Sequence, residues 1–291
     1  MLTCALDDRG VIAITGADKE TFLQGVISND VALATEEQAI WSAFLTPQGK
    51  YLHDFFLVRQ GERLLLETEA ARLPDLLRRL KLYKLRSQVQ LADVSAEWQV
   101  RALWDEGAGA DKAGACNPDG VGGLAFVDPR LPAMGLRLVQ PREAAAPEAE
   151  TVERARWDAR RIRLGLPDGS RDMEIEKALL LECGFDELGG VSWTKGCYMG
   201  QELTARTKYR GLVKKRLLPV EGLEGQPLTG TALLQEGKEV GSLRSHVGPL
   251  GLALLRLQAL DKPAPITLEG QSLRVLRPDW VVLPQTEKAA S

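Results

Sequence analysis

Short apolar runs broken by glycine and charge organise this chain. Val11–Ile14 is an apolar run closed by Gly16, the pattern of a short strand. Asp18 stands at an N-cap position, and Phe22 and Val26 give the helix after it an apolar face. Phe55–Val58 and Arg63–Leu66 flank the polar stretch Arg59–Glu62, which predicts a β-hairpin. Leu73, Leu76, Leu77 and Leu80 recur at i, i+3, i+4 and i+7, an amphipathic helix. A second helical stripe runs through Val152, Ala155, Ala159 and Ile162 and stops at Gly165-Leu166-Pro167. From Arg216 onward the texture changes to short runs: Leu217–Val220, Thr231–Gln235, Val240–His246, Gly251–Gln258, Ile266–Glu269 and Leu273–Leu276. Their spacing of roughly ten residues predicts a small closed barrel.

Strands and helices do not alternate in a βαβ rhythm, so the pattern predicts an α+β fold with antiparallel sheets. The Gly/Ala-rich residues 107–123 and the stretch 140–150 read as loops or linkers. The expected division is a body over 1–215 and a barrel over 216–285.

Composition narrows the function classes. The 291 residues are 44% hydrophobic and 26% charged, the balance of a globular protein with a substantial core. A net charge of −3 gives no general pull toward nucleic acid or acidic membranes. No apolar run reaches the 18 or so residues a spanning helix needs. The first residues lack a basic n-region and an apolar h-region, so a cytoplasmic protein is expected, or one of the mitochondrial matrix for a eukaryotic source. Cys4, Cys116, Cys183 and Cys197 form no CxxC pair, and with only His53 and His246 no stably bound metal is expected.

The chemistry concentrates in Lys195-Gly196-Cys197-Tyr198-Met199-Gly200-Gln201-Glu202. Two glycines permit tight turns and close ligand approach. The residues after them favour a helix, on which Glu202 and Arg206 stand at i,i+4. A cysteine close to a helix N-terminus and to Lys195 is placed for a stabilised thiolate. The same amides and Lys195 suit a carboxylate. A lone cysteine is as readily a packing residue, and these residues alone name no substrate.

The octapeptide closely resembles the K-G-C-Y-x-G-Q-E signature of the YgfZ-type proteins, relatives of the glycine-cleavage T-protein. Arg206–Gly211 with Lys214–Leu217 is similar to that family as well. So are Gly16-Ala17-Asp18, Phe22–Gly25, Asn29-Asp30-Val31, Leu45–Lys50 and His53-Asp54. The resemblance implies a three-lobed T-protein-like fold with mixed and antiparallel sheets and a small C-terminal barrel. Within the body it implies interleaved subdomains, approximately 1–48 with 150–215, and 49–149. It further implies a tetrahydrofolate ligand and a role in assembling or repairing iron–sulfur clusters, with assembly proteins or client enzymes as partners. Cys197 is then the functional thiol. Lys195, Tyr198, Gln201, Glu202 and Arg206 are the expected folate contacts, with Tyr198 stacking on a ring and Lys195 or Arg206 meeting carboxylates.

Two other classes compete. A folate-dependent aminomethyltransferase needs a carboxylate at the folate amine. Asp54 keeps that option, but T-proteins carry Asp-Asp where this chain has His53-Asp54, and a glutamate where Arg163 aligns. An RNA-binding or tRNA-modifying protein would use Arg72, Arg78, Arg79, Lys81, Lys84 and Arg86, a cluster that more often marks a solvated helix face.

Overall fold

The computed structural model describes residues 1–106, 112–117 and 123–283, so most of the Gly/Ala-rich stretch 107–123 lies outside the described residues. The strands of the body are β1 (Leu2–Ala5), β2 (Arg9–Thr15), β3 (Ile40–Leu45), β4 (Tyr51–Gln60), β5 (Arg63–Glu69), β6 (Gln90–Asp93), β7 (Trp98–Trp104), β8 (Cys116–Asn117), β9 (Leu124–Val127), β10 (Leu136–Pro141) and β11 (Glu150–Thr151). Its helices are α1 (Lys19–Gln24), α2 (Leu73–Tyr83), α3 (Arg154–Arg163) and α4 (Gln201–Tyr209). Six further strands follow: β12 (Lys215–Glu221), β13 (Ala232–Gln235), β14 (Lys238–Val247), β15 (Leu250–Arg256), β16 (Ile266–Leu268) and β17 (Gln271–Val275).

The body holds two sheets, ordered β3-β4-β5-β2-β6 and β11-β1-β7-β10-β9-β8. All described pairs are antiparallel except β1 with β11. The last six strands close as β12-β15-β14-β13-β16-β17, the barrel the sequence predicts. The expected boundaries inside the body are not those of the sheets. β3 and β4 pair across position 48, and one sheet takes residues 9–93 while the other takes 2–5 with 98–151. The reason is that β3 and β4 are buried on both faces and complete each other's ladder.

Alternation along β4 sorts two cores. Phe55 and Leu57 face the cluster with α1 and α2, whereas Phe56 and Val58 face the cluster shared with the second sheet. Three local expectations shift. Asp18 does not cap α1 with its side chain; its Oδ2 accepts from Gln88 N at 2.7 Å. The hairpin turn shrinks to Gly61-Glu62, because β4 runs to Gln60 and β5 starts at Arg63. Of the stripe expected on α3, Ile162 is buried, Val152 and Ala159 pack partly buried against the cores and Ala155 is exposed, while Trp157, Asp158 and Arg161 are buried as well.

Candidate functional site

The loop before α4 is held from three sides. Lys195, 8% exposed, turns its Nζ inward to donate to Ile27 O and Asn29 O, both at 2.8 Å. Burial pushes this lysine down from 10.5 to about 8, with Asp30 pulling weakly the other way. Met199 N donates to Gly25 O at 3.0 Å. Gly200 has φ of +81°, and a Cβ there would meet Thr46 O at 2.5 Å, so this glycine is required; Gly196 has open space around it.

Cys197 is exposed while its neighbours are tied down. The local geometry differs from expectation in two ways. Tyr198, Met199 and Gly200 separate the cysteine from the first residue of α4, and the Lys195 ammonium is spent on backbone carbonyls. Burial pushes the thiols of Cys4 and Cys116 up to about 11 and that of Cys183 up to about 12.

The expected folate contacts do not converge. Tyr198 packs into the core at 6% exposure, with Lys195 Nζ 5.1 Å from its ring centre, so it offers no open stacking platform. Gln201 Oε1 faces Tyr198 N at 3.4 Å. Glu202 and Arg206 are exposed, form no ion pair with each other among the described residues, and border a cleft of about 190 Å³ with Pro47 and Gln48. As the side chains lie here, Lys195 and Tyr198 do not fit a folate ring.

Asp54 lies deeper, linked to the loop through Trp41 and Asn29. Its Oδ2 accepts from Trp41 Nε1 at 3.0 Å and its Oδ1 from Tyr51 OH at 2.8 Å. Asn29 Nδ2 donates to Trp41 O at 2.8 Å, and Asn29 O in turn receives Lys195. Burial raises the Asp54 carboxyl, against the pull of Arg9. Tyr51 reaches it because the β3–β4 register shifts between Phe44 and Leu45. His53 points to the opposite face, where its Nε2 meets Asp75 at 3.0 Å and burial lowers it to about 4. It is therefore no partner of Asp54. Arg163 is exposed at the end of α3, 3.7 Å from Glu221. There it replaces no pocket carboxylate.

The basic cluster on α2 is partly spent on one acid. Asp75 gathers Arg72, Arg78 and Arg79 at 3.5, 2.5 and 2.8 Å. Burial opposes the charge of Asp75, yet hydrogen bonds from Arg79, Arg78 and His53 hold its carboxyl well below the usual range.

A buried polar network that the sequence analysis did not single out joins α3 to the barrel. Arg161, 0% exposed, donates to Asp158, Asp172 and Ser245 Oγ at 2.8 Å each. Asp172 also accepts from Ser245 N at 3.0 Å and from Asp168 N at 2.8 Å. A second knot holds Arg130 and Arg137 against Asp128 and Glu67. Only the i,i+3 spacing of Asp158 and Arg161 hinted at pairing inside a helix.

Sheets interleaved in the body, a closed barrel behind it and a pinned thiol loop define an aminomethyltransferase-like fold. A solved aminomethyltransferase T of the glycine cleavage system from Bartonella henselae superposes with a TM-score of 0.73 at 15% identity, covering 96% of this chain and 86% of that one. At that identity the likeness is one of fold. Residues 214–283 match the CAF17 C-terminal beta-barrel domain. The human mitochondrial iron–sulfur cluster assembly factor IBA57 is 33% identical over 94% of this chain and 84% of its own length. The homologue from Pyricularia oryzae is 31% identical over 98% and 79%. That from Mycosarcoma maydis is 35% identical over 87%, with this chain spanning 64% of its length. The chain belongs to the IBA57-type family of iron–sulfur cluster assembly factors. The family shown is thus the IBA57 type, related to the YgfZ type. The relatives are mitochondrial by name, the compartment expected for a eukaryotic source.

Proposed function

We propose that this chain serves iron–sulfur cluster assembly, the role its relatives carry in their names, by presenting Cys197 to a partner that holds the cluster. The observation that carries this is the contrast among the four cysteines: Cys197 is exposed on a loop pinned by Lys195 and Gly200, whereas Cys4 and Cys183 are buried and Cys116 half-buried. A thiolate is a good ligand for iron. Among the described residues no three His, Cys, Asp or Glu side chains gather as a metal site, so an iron bound at Cys197 takes its other ligands from the partner. Alkylation with iodoacetamide followed by peptide mass spectrometry tests the premise. Cys197 is modified first and Cys183 last; equal labelling of all four in the folded protein would refute it.

Tetrahydrofolate remains part of the proposal in a narrower form. The sequence resemblance implies it, and in the open cleft that Arg206 shares with Gln48 and Glu202 the guanidinium is the group that would meet its carboxylate tail. Anaerobic titration of wild type and Arg206→Ala checks this, with weaker binding by the variant expected and unchanged binding counting against it. Aminomethyl transfer finds less support, because both Asp54 oxygens already accept protein donors and His53 faces away. RNA binding is not favoured either, since Asp75 takes up part of the α2 charge.

A further inference from the structure

The segment Gly25–Asn29, which follows α1, runs beside the cysteine loop and its approach. Gly25 O accepts from Met199 N at 3.0 Å, and Ile27 O from Lys195 Nζ at 2.8 Å. Ser28 O accepts from Ser192 N at 3.1 Å, and its Oγ donates to Gly190 O at 2.7 Å. Asn29 O accepts from Lys195 Nζ and its Nδ2 donates to Gly189 O, both at 2.8 Å. Between Lys195 and Met199 the chain is barely held. The amides of Gly196 and Cys197 donate to nothing among the described residues, and Gly196 has open space around it. The thiol is therefore placed by the residues around it, and Lys195 and Met199 both fasten to this one segment.

Within the segment, Asn29 uses every polar atom it has. Its N donates to Ser42 Oγ at 2.9 Å, and its Oδ1 accepts from Asp30 N at 2.8 Å. Its Nδ2 donates to Trp41 O at 2.8 Å as well as to Gly189 O. Trp41 and Ser42 belong to β3, so one planar amide, 5% exposed, joins the approach of the loop to a buried strand. The site asks for two donors and an acceptor at this size. An ionised aspartate of the same shape only accepts, and alanine offers neither.

We propose that Asn29 is a positioning residue for the Cys197 thiol, acting through Lys195 and Gly189 to hold the loop at one place against β3. The proposal rests on the thiol reading above. A sulfur that completes an iron site supplied by another protein must arrive where the partner's ligands are already set. Looseness of about 1 Å in the supporting residues is enough to spoil such a site.

A nitroxide attached to Cys197 in a Cys116→Ser background reads the loop directly, since Cys4 and Cys183 are buried. The wild-type spectrum is that of a restricted label. Asn29→Ala is expected to sharpen it, whereas Leu243→Ala, a cavity in the barrel core, lowers Tm and leaves it unchanged. In cells lacking the protein, Asn29→Ala at wild-type level lowers cluster-enzyme activity by about tenfold or more, and Leu243→Ala does not. Should Asn29→Ala fail to accumulate, Asn29→Ser, which keeps one donor, is read in the same way. Hydrogen exchange of the wild type is a further arm: the Ser192 and Met199 amides exchange slowly and together, and that of Gly196 fast. The proposal is overturned by an unchanged spectrum in the Asn29 variant, by full enzyme activity with it, or by Met199 exchanging as freely as Gly196. If Cys197→Ser restores activity, the thiol reading fails; if only Asn29→Ala restores it, this proposal alone fails.

Discussion

Replacing Arg161 by methionine removes the hub between α3 and the barrel. The guanidinium makes three hydrogen bonds of 2.8 Å, to Asp158, Asp172 and Ser245, and a fourth of 3.2 Å to Leu166 O. Breaking a buried ion pair by deleting one partner costs about 3–5 kcal/mol, mostly because the other charge is left stranded. Asp158 keeps Arg171 at 2.9 Å, and Asp172 keeps the amides of Asp168 and Ser245, which places the loss near the lower end. Against a total stability of about 5–15 kcal/mol, a loss of about 3 kcal/mol is large. Guanidinium unfolding followed by tryptophan fluorescence reads it. Adding Asp172→Asn to Arg161→Met removes the stranded charge. The double variant then loses less than the sum of the singles, with a coupling of at least about 1 kcal/mol. A single-variant loss below about 1 kcal/mol, or strict additivity, would show that the network is not what holds helix and barrel together.

Two more outcomes follow from the loop. Lys195 titrates near 8 in the folded chain and near its ordinary 10.5 when unfolded. Between those values the unfolded chain binds the extra proton, so this lysine adds stability as pH rises through that window and adds none below it. Stability profiles of wild type and Lys195→Met should therefore diverge between pH 8 and 10.5; parallel profiles would mean the ammonium is not buried. Gly200→Ala places a Cβ 2.5 Å from Thr46 O at φ +81°, and is expected to cost about 2 kcal/mol or more and to displace the loop. Wild-type stability with an undisturbed loop would contradict this.

Much of the fold was legible because periodicity reports burial. The six C-terminal runs became the barrel, and Leu73, Leu76 and Leu80 became the buried face of α2. Sheet membership was not legible: whether β3 pairs with β4 across position 48 depends on long-range ladders that no local pattern encodes. On α3 the pattern found Ile162 but missed Arg161, for a different reason. Arg161 is fully buried because acids from distant segments neutralise it, and hydropathy assigns every arginine to the surface. At the site, the octapeptide located the exposed thiol but not the directions of its side chains. Lys195 turns inward onto the carbonyls of Ile27 and Asn29, and the Tyr198 ring packs into the core; both contacts come from segments distant in sequence.

The central claim is that the Cys197 thiol does the work of the pinned loop. Its most direct test is the activity of iron–sulfur enzymes in cells lacking this protein and supplied with either wild type or Cys197→Ser. An exposed Cys-to-Ser change should leave Tm and protein level unchanged while the cluster enzymes stay inactive. Full restoration of their activity by Cys197→Ser would contradict the account and move the function away from the thiol.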